Sequence, residues 1–165
     1  MPNEKLESIA EHSYKVSYLC LIFSGKVKNM NVEKLLRYSI LDEWGECLLG
    51  DHPTASLSYQ SYFDEDIRSI TKKAEILSDT NVVKPELNVA EKSLFEFCDI
   101  LARTLETVNL KQLGLKHKWL EKMSKTQILL IHDFDYEFTN DVISELKKLF
   151  GEVMDNAYLT RKTVK

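Results

Sequence analysis

The stretch Tyr38–Ala55, YSILDEWGECLLGDHPTA, decides how this chain is read. An apolar helical run carries Asp42 and Glu46, then breaks at Gly50 into Asp51, His52, Pro53 and Thr54. Residues four apart share one side of a helix, so the two carboxylates point the same way. Around them stand Ile40, Leu41, Trp44, Cys47, Leu48 and Leu49. Two readings follow. The acids form the polar stripe of an amphipathic helix, or they are buried. A buried carboxylate needs a cation, a proton or a hydrogen-bond donor beside it, because leaving it unpaired is costly.

Working outward, Asn31 is a good N-cap for a helix beginning at Val32, with Leu35, Leu36, Ser39 and Ile40 on its inner face. That helix carries the two acids and stops around Gly50. Residues 50–60 form a polar loop in which Pro53 biases His52 away from helical geometry. Upstream, Ile9, Val16, Leu19, Cys20 and Phe23 recur at helical spacing and predict a helix over 7–26, with His12 and Ser13 near its start.

Downstream, 63–77 reads as a helix that is acidic at its start and basic later, which suits the helix dipole. After a connector over 78–88, Asn88 caps a long helix from Val89 to about Val108, with Asp99 set among Leu94, Phe95, Phe97, Cys98, Ile100 and Leu101. An amphipathic segment follows at 110–123. The run TQILLI (126–131) is compatible with helix or strand and is taken as helix, and a last helix covers 137–150. With five Gly and three Pro, tight turns are few. The expectation is an all-α, single-domain helical bundle over 1–165, its chemistry in 7–106 and its C-terminal helices over 110–155.

Composition narrows the function classes. A net charge of -4 and a pI near 5.6, with Lys and Arg scattered among acids, argue against a nucleic-acid polymer as partner. No apolar run is long enough to span a bilayer and the start lacks a signal-peptide pattern, so no membrane association is expected. The three cysteines, Cys20, Cys47 and Cys98, all fall in apolar helical segments. They read as reduced core thiols and a cytoplasmic location.

His12, Asp42 and Asp99 come from three different helices, and a helical bundle can bring such side chains to one point. One imidazole with two carboxylates suits a divalent transition metal: Mn, Co, Fe, Ni or Zn. Asp99 also has Arg103 four residues on, so a salt bridge along its own helix is an equal alternative.

Three motifs carry a resemblance. ESIAEHS (Glu7–Ser13), LDEWGECLLGDHPTA (Leu41–Ala55) and FCDIL (Phe97–Leu101) are similar to the ESVAEHS, HDLGEAVxGDIPTP and later-helix Asp of the HD-domain metal-dependent phosphohydrolases, closest to the YfbR-like 5′-deoxynucleotidase branch. The resemblance is strong over 7–55 and extends to about 106. It implies one metal held by the His of EHS, the His and Asp of the HD pair, and the late Asp: positions His12, Leu41, Asp42 and Asp99. It implies Glu46 and Asp51 as catalytic acids that handle the proton of the attacking water or leaving group, and Thr54 beside the substrate.

In this reading Leu41 stands where the HD histidine belongs. Leucine has no lone pair to give, so three ligands remain and metal affinity should fall by at least the ~10–100-fold seen for outer-shell changes. His52 is the one nearby imidazole that could stand in. Relatives also carry a helix ahead of the first motif that this sequence does not show, which implies altered substrate recognition. A literal His-Asp pair at 132–133 lacks the following GE and GD; its acidic run reads as the cap of the next helix.

The expected function is therefore metal-dependent hydrolysis of a phosphate ester on a (deoxy)nucleotide, with Lys72 and Lys73 as candidates for phosphate contact. The alternative is a degenerate HD-domain protein that binds nucleotide or protein without catalysis. Relatives commonly dimerise, and TQILLI could supply a homodimer face.

Overall fold

The computed structural model describes residues 7–42, 83–115 and 118–150. Among them are five α-helices and no strand: α1 (Ile9–Ser24), α2 (Val32–Leu41), α3 (Val89–Gln112), α4 (Lys118–His132) and α5 (Thr139–Phe150). The all-α expectation holds. The helix expected at 63–77, the loop at 50–60 and the tail lie outside the described residues. The chain divides into two compact units, 1–95 and 96–165, with the boundary inside α3.

In the first unit, α1 starts at a capping box. The Ser8 hydroxyl accepts from the Glu11 N–H at 3.2 Å, and Glu11 Oε2 accepts from the Ser8 N–H at 2.9 Å. Val16, Cys20 and Phe23 form its buried stripe. Residues 25–31 turn the chain, with Asn29 in the left-handed region at φ 63°, a conformation Asn tolerates better than most residues. Asn31 then caps α2 by accepting from the Lys34 N–H at 3.0 Å, as its sequence context predicts.

The two helices pack together, and the Ser17 and Ser39 hydroxyls hydrogen-bond at 2.8 Å. Ser17 lies seven residues before the end of α1 and Ser39 seven after the start of α2. A contact placed symmetrically about a short loop is that of an antiparallel hairpin. The inward stripe of α2 is Leu35, Ser39 and, one turn on, Asp42. Ile40, expected on the inner face, is 59% exposed, because it lies about a quarter-turn from that stripe.

Glu91 joins α2 to the start of α3. Only 2% exposed, its carboxylate accepts from the N–H groups of Asn88 (2.9 Å) and Asn31 (3.2 Å) and pairs with the Lys34 ammonium at 3.1 Å. Asn88 returns the favour by accepting from the Glu91 N–H at 2.8 Å, closing a capping box like that of Ser8 and Glu11. Burial alone would raise the pKa of Glu91. The Asn88 N–H, the Lys34 ammonium and the Asn31 N–H outweigh that and hold it below the ordinary carboxylate value.

In the second unit, α3 runs four residues past the expected end. It closes in a Schellman motif: the Leu115 N–H donates to the Leu110 carbonyl at 3.2 Å and the Gly114 N–H to the Lys111 carbonyl at 3.0 Å, with Gly114 at φ 91°. The segments expected at 110–123 and 126–131 therefore reorganise. Residues 110–112 finish α3, and 118–132 form one continuous α4. In TQILLI, Gln127, Ile128 and Ile131 face inward while Leu130 is 43% exposed, so the run serves mainly as core.

Phe97, fully buried, meets Phe134, Tyr136 and Phe138 edge-on at 5.5–5.7 Å. The buried Thr107 hydroxyl donates to Gln127 Oε1 at 3.1 Å, tying α3 to α4. Ile143, Leu146 and Phe150 form the buried stripe of α5.

Two predictions follow from these contacts. Glu91 binds its proton less tightly when folded, so its charge adds stability above the unfolded-state pKa (about 4.3). That contribution is lost as pH falls through the lowered folded-state value. Urea titrations from pH 7 to pH 3 should show Glu91→Gln less stable by about 1–3 kcal/mol at pH 7, with the gap to wild type narrowing on the acid side. Gly114→Ala meets no atom within 4 Å, so only its left-handed backbone opposes the change. Its urea midpoint should fall by the equivalent of about 1 kcal/mol.

Candidate functional site

His12 lies on the inward stripe of α1, one turn before Val16, and its side chain is 14% exposed. The Ser8–Glu11 box fixes the turn that bears it, and the His12 N–H donates to the Ser8 carbonyl at 2.9 Å. In the EHS motif, then, the Glu builds the cap, and the Ser13 carbonyl accepts from the Ser17 hydroxyl that in turn meets Ser39. Nδ1 of His12 sits 3.7 Å from Glu7 Oε2, and the other Glu7 oxygen pairs with Lys15. At that separation the carboxylate and the imidazole are near neighbours without a direct hydrogen bond.

Asp42 continues the inward stripe of α2 past Leu35 and Ser39, and its side chain is 26% exposed. His12 precedes Ser17 by five residues and Asp42 follows Ser39 by three. In an antiparallel hairpin both therefore lie at the same end, beyond the serine contact. Leu41 lies about a quarter-turn off that stripe.

Asp42 Oδ1 accepts from the Lys84 ammonium at 2.5 Å. The same ammonium stands 4.4 Å over the Tyr38 ring, which packs against Phe95 edge-on at 4.8 Å. Burial, then the Asp42 charge, push the Tyr38 phenol above its ordinary pKa, with Lys84 pulling the other way. Lys84 sits 42 residues from Asp42 in the chain, inside the connector, and no sequence pattern marked it.

Asp99 lies in the second unit on α3, 17% exposed, where Arg103 pairs with it at 3.0 Å. The salt bridge set out as one reading of Asp99 is formed. His132 ends α4 and Asp133 follows in the turn. Glu46, Asp51, Thr54 and His52, with Cys47, Lys72 and Lys73, lie outside the described residues. A depression of about 420 Å³ lined by Ala10, Glu11, Tyr14, Lys15 and Tyr18 opens on the outer face of α1 and includes none of the candidate ligands.

The donor chemistry suits a divalent cation: an imidazole with its second nitrogen beside a carboxylate, and a carboxylate at the same end of the hairpin already answering a positive charge. Among the described residues no three His, Cys, Asp or Glu side chains form a group that could hold a metal. Nor is any helix among them long and apolar enough to cross a membrane.

No curated protein and no solved structure matches the chain. A family model described as HD domain matches residues 1–94, which take in α1, α2, the Asp42–Lys84 pair and the first turn of α3. That match covers more than half of the 165 residues. With His12 and Asp42 at one end of its first helical hairpin, the chain belongs to the HD domain family, which includes metal-dependent phosphohydrolases.

Proposed function

We propose that the chain is a phosphohydrolase acting on (deoxy)nucleotides, with a divalent metal held by His12, Asp42 and, by its motif, Asp99. The observation that carries this reading is the inward placement of His12 and Asp42 at the same end of the α1–α2 hairpin, inside the HD domain match. When bound, the cation would neutralise phosphate charge and acidify water. Glu7, 3.7 Å from His12 Nδ1, would hold the imidazole's orientation if the two close to hydrogen-bond distance. Glu46 or Asp51 would take the proton from the attacking water and return it to the leaving oxygen, and Thr54 would hydrogen-bond the substrate. A monophosphate would yield nucleoside and phosphate; a triphosphate would yield nucleoside and a polyphosphate.

The motif admits a second register. In the family pattern the Glu of GE follows the HD aspartate by three residues, whereas Glu46 follows Asp42 by four. Aligned without a gap back from Ala55, Asp42 falls under the histidine and Glu43 under the aspartate. Leu41 then precedes the motif. Four donors remain, three of them carboxylates, and such a set favours Mn or Mg over Zn.

The non-catalytic alternative, a nucleotide- or protein-binding module, has one observation in its favour: Asp42 and Asp99 are each answered by a cation of the chain itself, Lys84 and Arg103.

The test is elemental analysis of the purified protein together with phosphate release from deoxynucleoside mono- and triphosphates in added Mn or Co. Turnover that falls at least ~100-fold in Asp42→Asn and in Asp99→Asn is the expected result. No turnover at millimolar metal would overturn the enzyme reading. The two registers part in metal titrations. Leu41→His tightens binding only if Leu41 replaces the histidine, and Glu43→Gln loosens it by ~10-fold or more only if Glu43 is a ligand.

A further inference from the structure

We propose that Lys84 is a built-in competitor for the metal at Asp42: its ammonium occupies the carboxylate oxygen a divalent cation would take, so metal loads only by displacing it. The inference rests on the reading of Asp42 as a ligand. The contact is direct, at 2.5 Å from Nζ to Oδ1. Two cations on one carboxylate oxygen repel each other with little water between them, so occupancy by one opposes the other.

The surroundings hold the ammonium in place without a metal. The Tyr38 ring lies 4.4 Å beneath it, and Phe95 fixes that ring from the side at 4.8 Å. A cation over an aromatic face and against a carboxylate is attracted by both. The arrangement is also reversible. The Lys84 side chain is 34% exposed and Asp42 26%, so water reaches both partners of the pair. Pro85 follows directly and fixes the backbone from which the lysine reaches.

Neutralising Asp42 in this way has a consequence for folding. The unliganded site carries no net charge at Asp42 and can fold without metal, while metal affinity is set by the difference between two cations. Lys84 thus acts as a threshold on metal binding and takes no part in the chemistry.

The experiment uses the full chain and Mn²⁺ alone, followed by calorimetry and by the loss of the free-ion electron paramagnetic resonance signal. Lys84→Met keeps the stem and deletes the charge; Lys84→Gln is the second variant, and Lys84→Arg retains the charge. Circular dichroism melts establish that each is folded. Both uncharged variants should bind Mn²⁺ about tenfold or more tighter than wild type, Lys84→Arg should not, and adding Asp42→Asn to Lys84→Met should erase the gain. Binding by the uncharged variants alone, with none by wild type, would support the proposal most directly. Equal Mn²⁺ affinity in wild type and both uncharged variants would overturn the competition and leave the metal reading standing. No binding in any variant would overturn both. A gain that survives Asp42→Asn would show that the released carboxylate was another one.

Discussion

A carboxylate taken out of water must have its charge answered at close range, and Glu91 is where the first unit meets that demand. Its two oxygens collect the N–H of Asn88, the N–H of Asn31 and the ammonium of Lys34. Asn31 and Asn88 are themselves the caps of α2 and α3, so one side chain fixes where both helices begin. Because the donors outweigh the cost of burial, Glu91 stays ionised, and the joint between the helices is electrostatic as well as apolar. Leu94 and Phe95, on the next turn of α3, add the apolar part. Everything α2 carries, including Asp42, takes its position from this joint.

The candidate site occupies the other end of the same helix. Small side chains at Ser17 and Ser39 let α1 and α2 approach until their hydroxyls bond, and the stripe that holds Ser39 delivers Asp42. The polar groups there form a chain of local solutions: Glu7 answers His12 and Lys15, and Lys84 answers Asp42 above the Tyr38 ring. If Asp42 takes a metal as proposed, the Lys84 contact is the one exchanged for it. The second unit contrasts with this. Its core is apolar and aromatic around Phe97, with the Thr107–Gln127 bond as a buried polar link between helices.

Helix existence was legible because it depends on local chemistry. Asn31 and Asn88 mark their helices through side-chain oxygens that reach N–H groups three residues on, and both caps are formed. The Ser8–Glu11 box is also an S-x-x-E signal, but the sequence reading passed over it, because Glu11 was taken only as part of EHS. The end of α3 was misjudged because apolar periodicity fades near Val108, while the stop is written in the backbone of Gly114. Ile40 was misplaced because a run of apolar residues does not reveal which stripe faces inward until the partner helix is in place.

The sequence by itself determined the helical class and the Asn31 and Asn88 caps, because cap chemistry and periodicity act over a few residues, and it marked His12, Asp42 and Asp99 as candidates through their motifs. The Arg103 that answers Asp99 was readable four residues on, but only the tertiary structure decided which distant groups answer the other charges. Lys84 reaches Asp42 across 42 residues of chain, and Glu91 reaches Asn31 across 60. Partners that far apart in the chain are chosen by distance in space, which no short-range pattern in a sequence encodes.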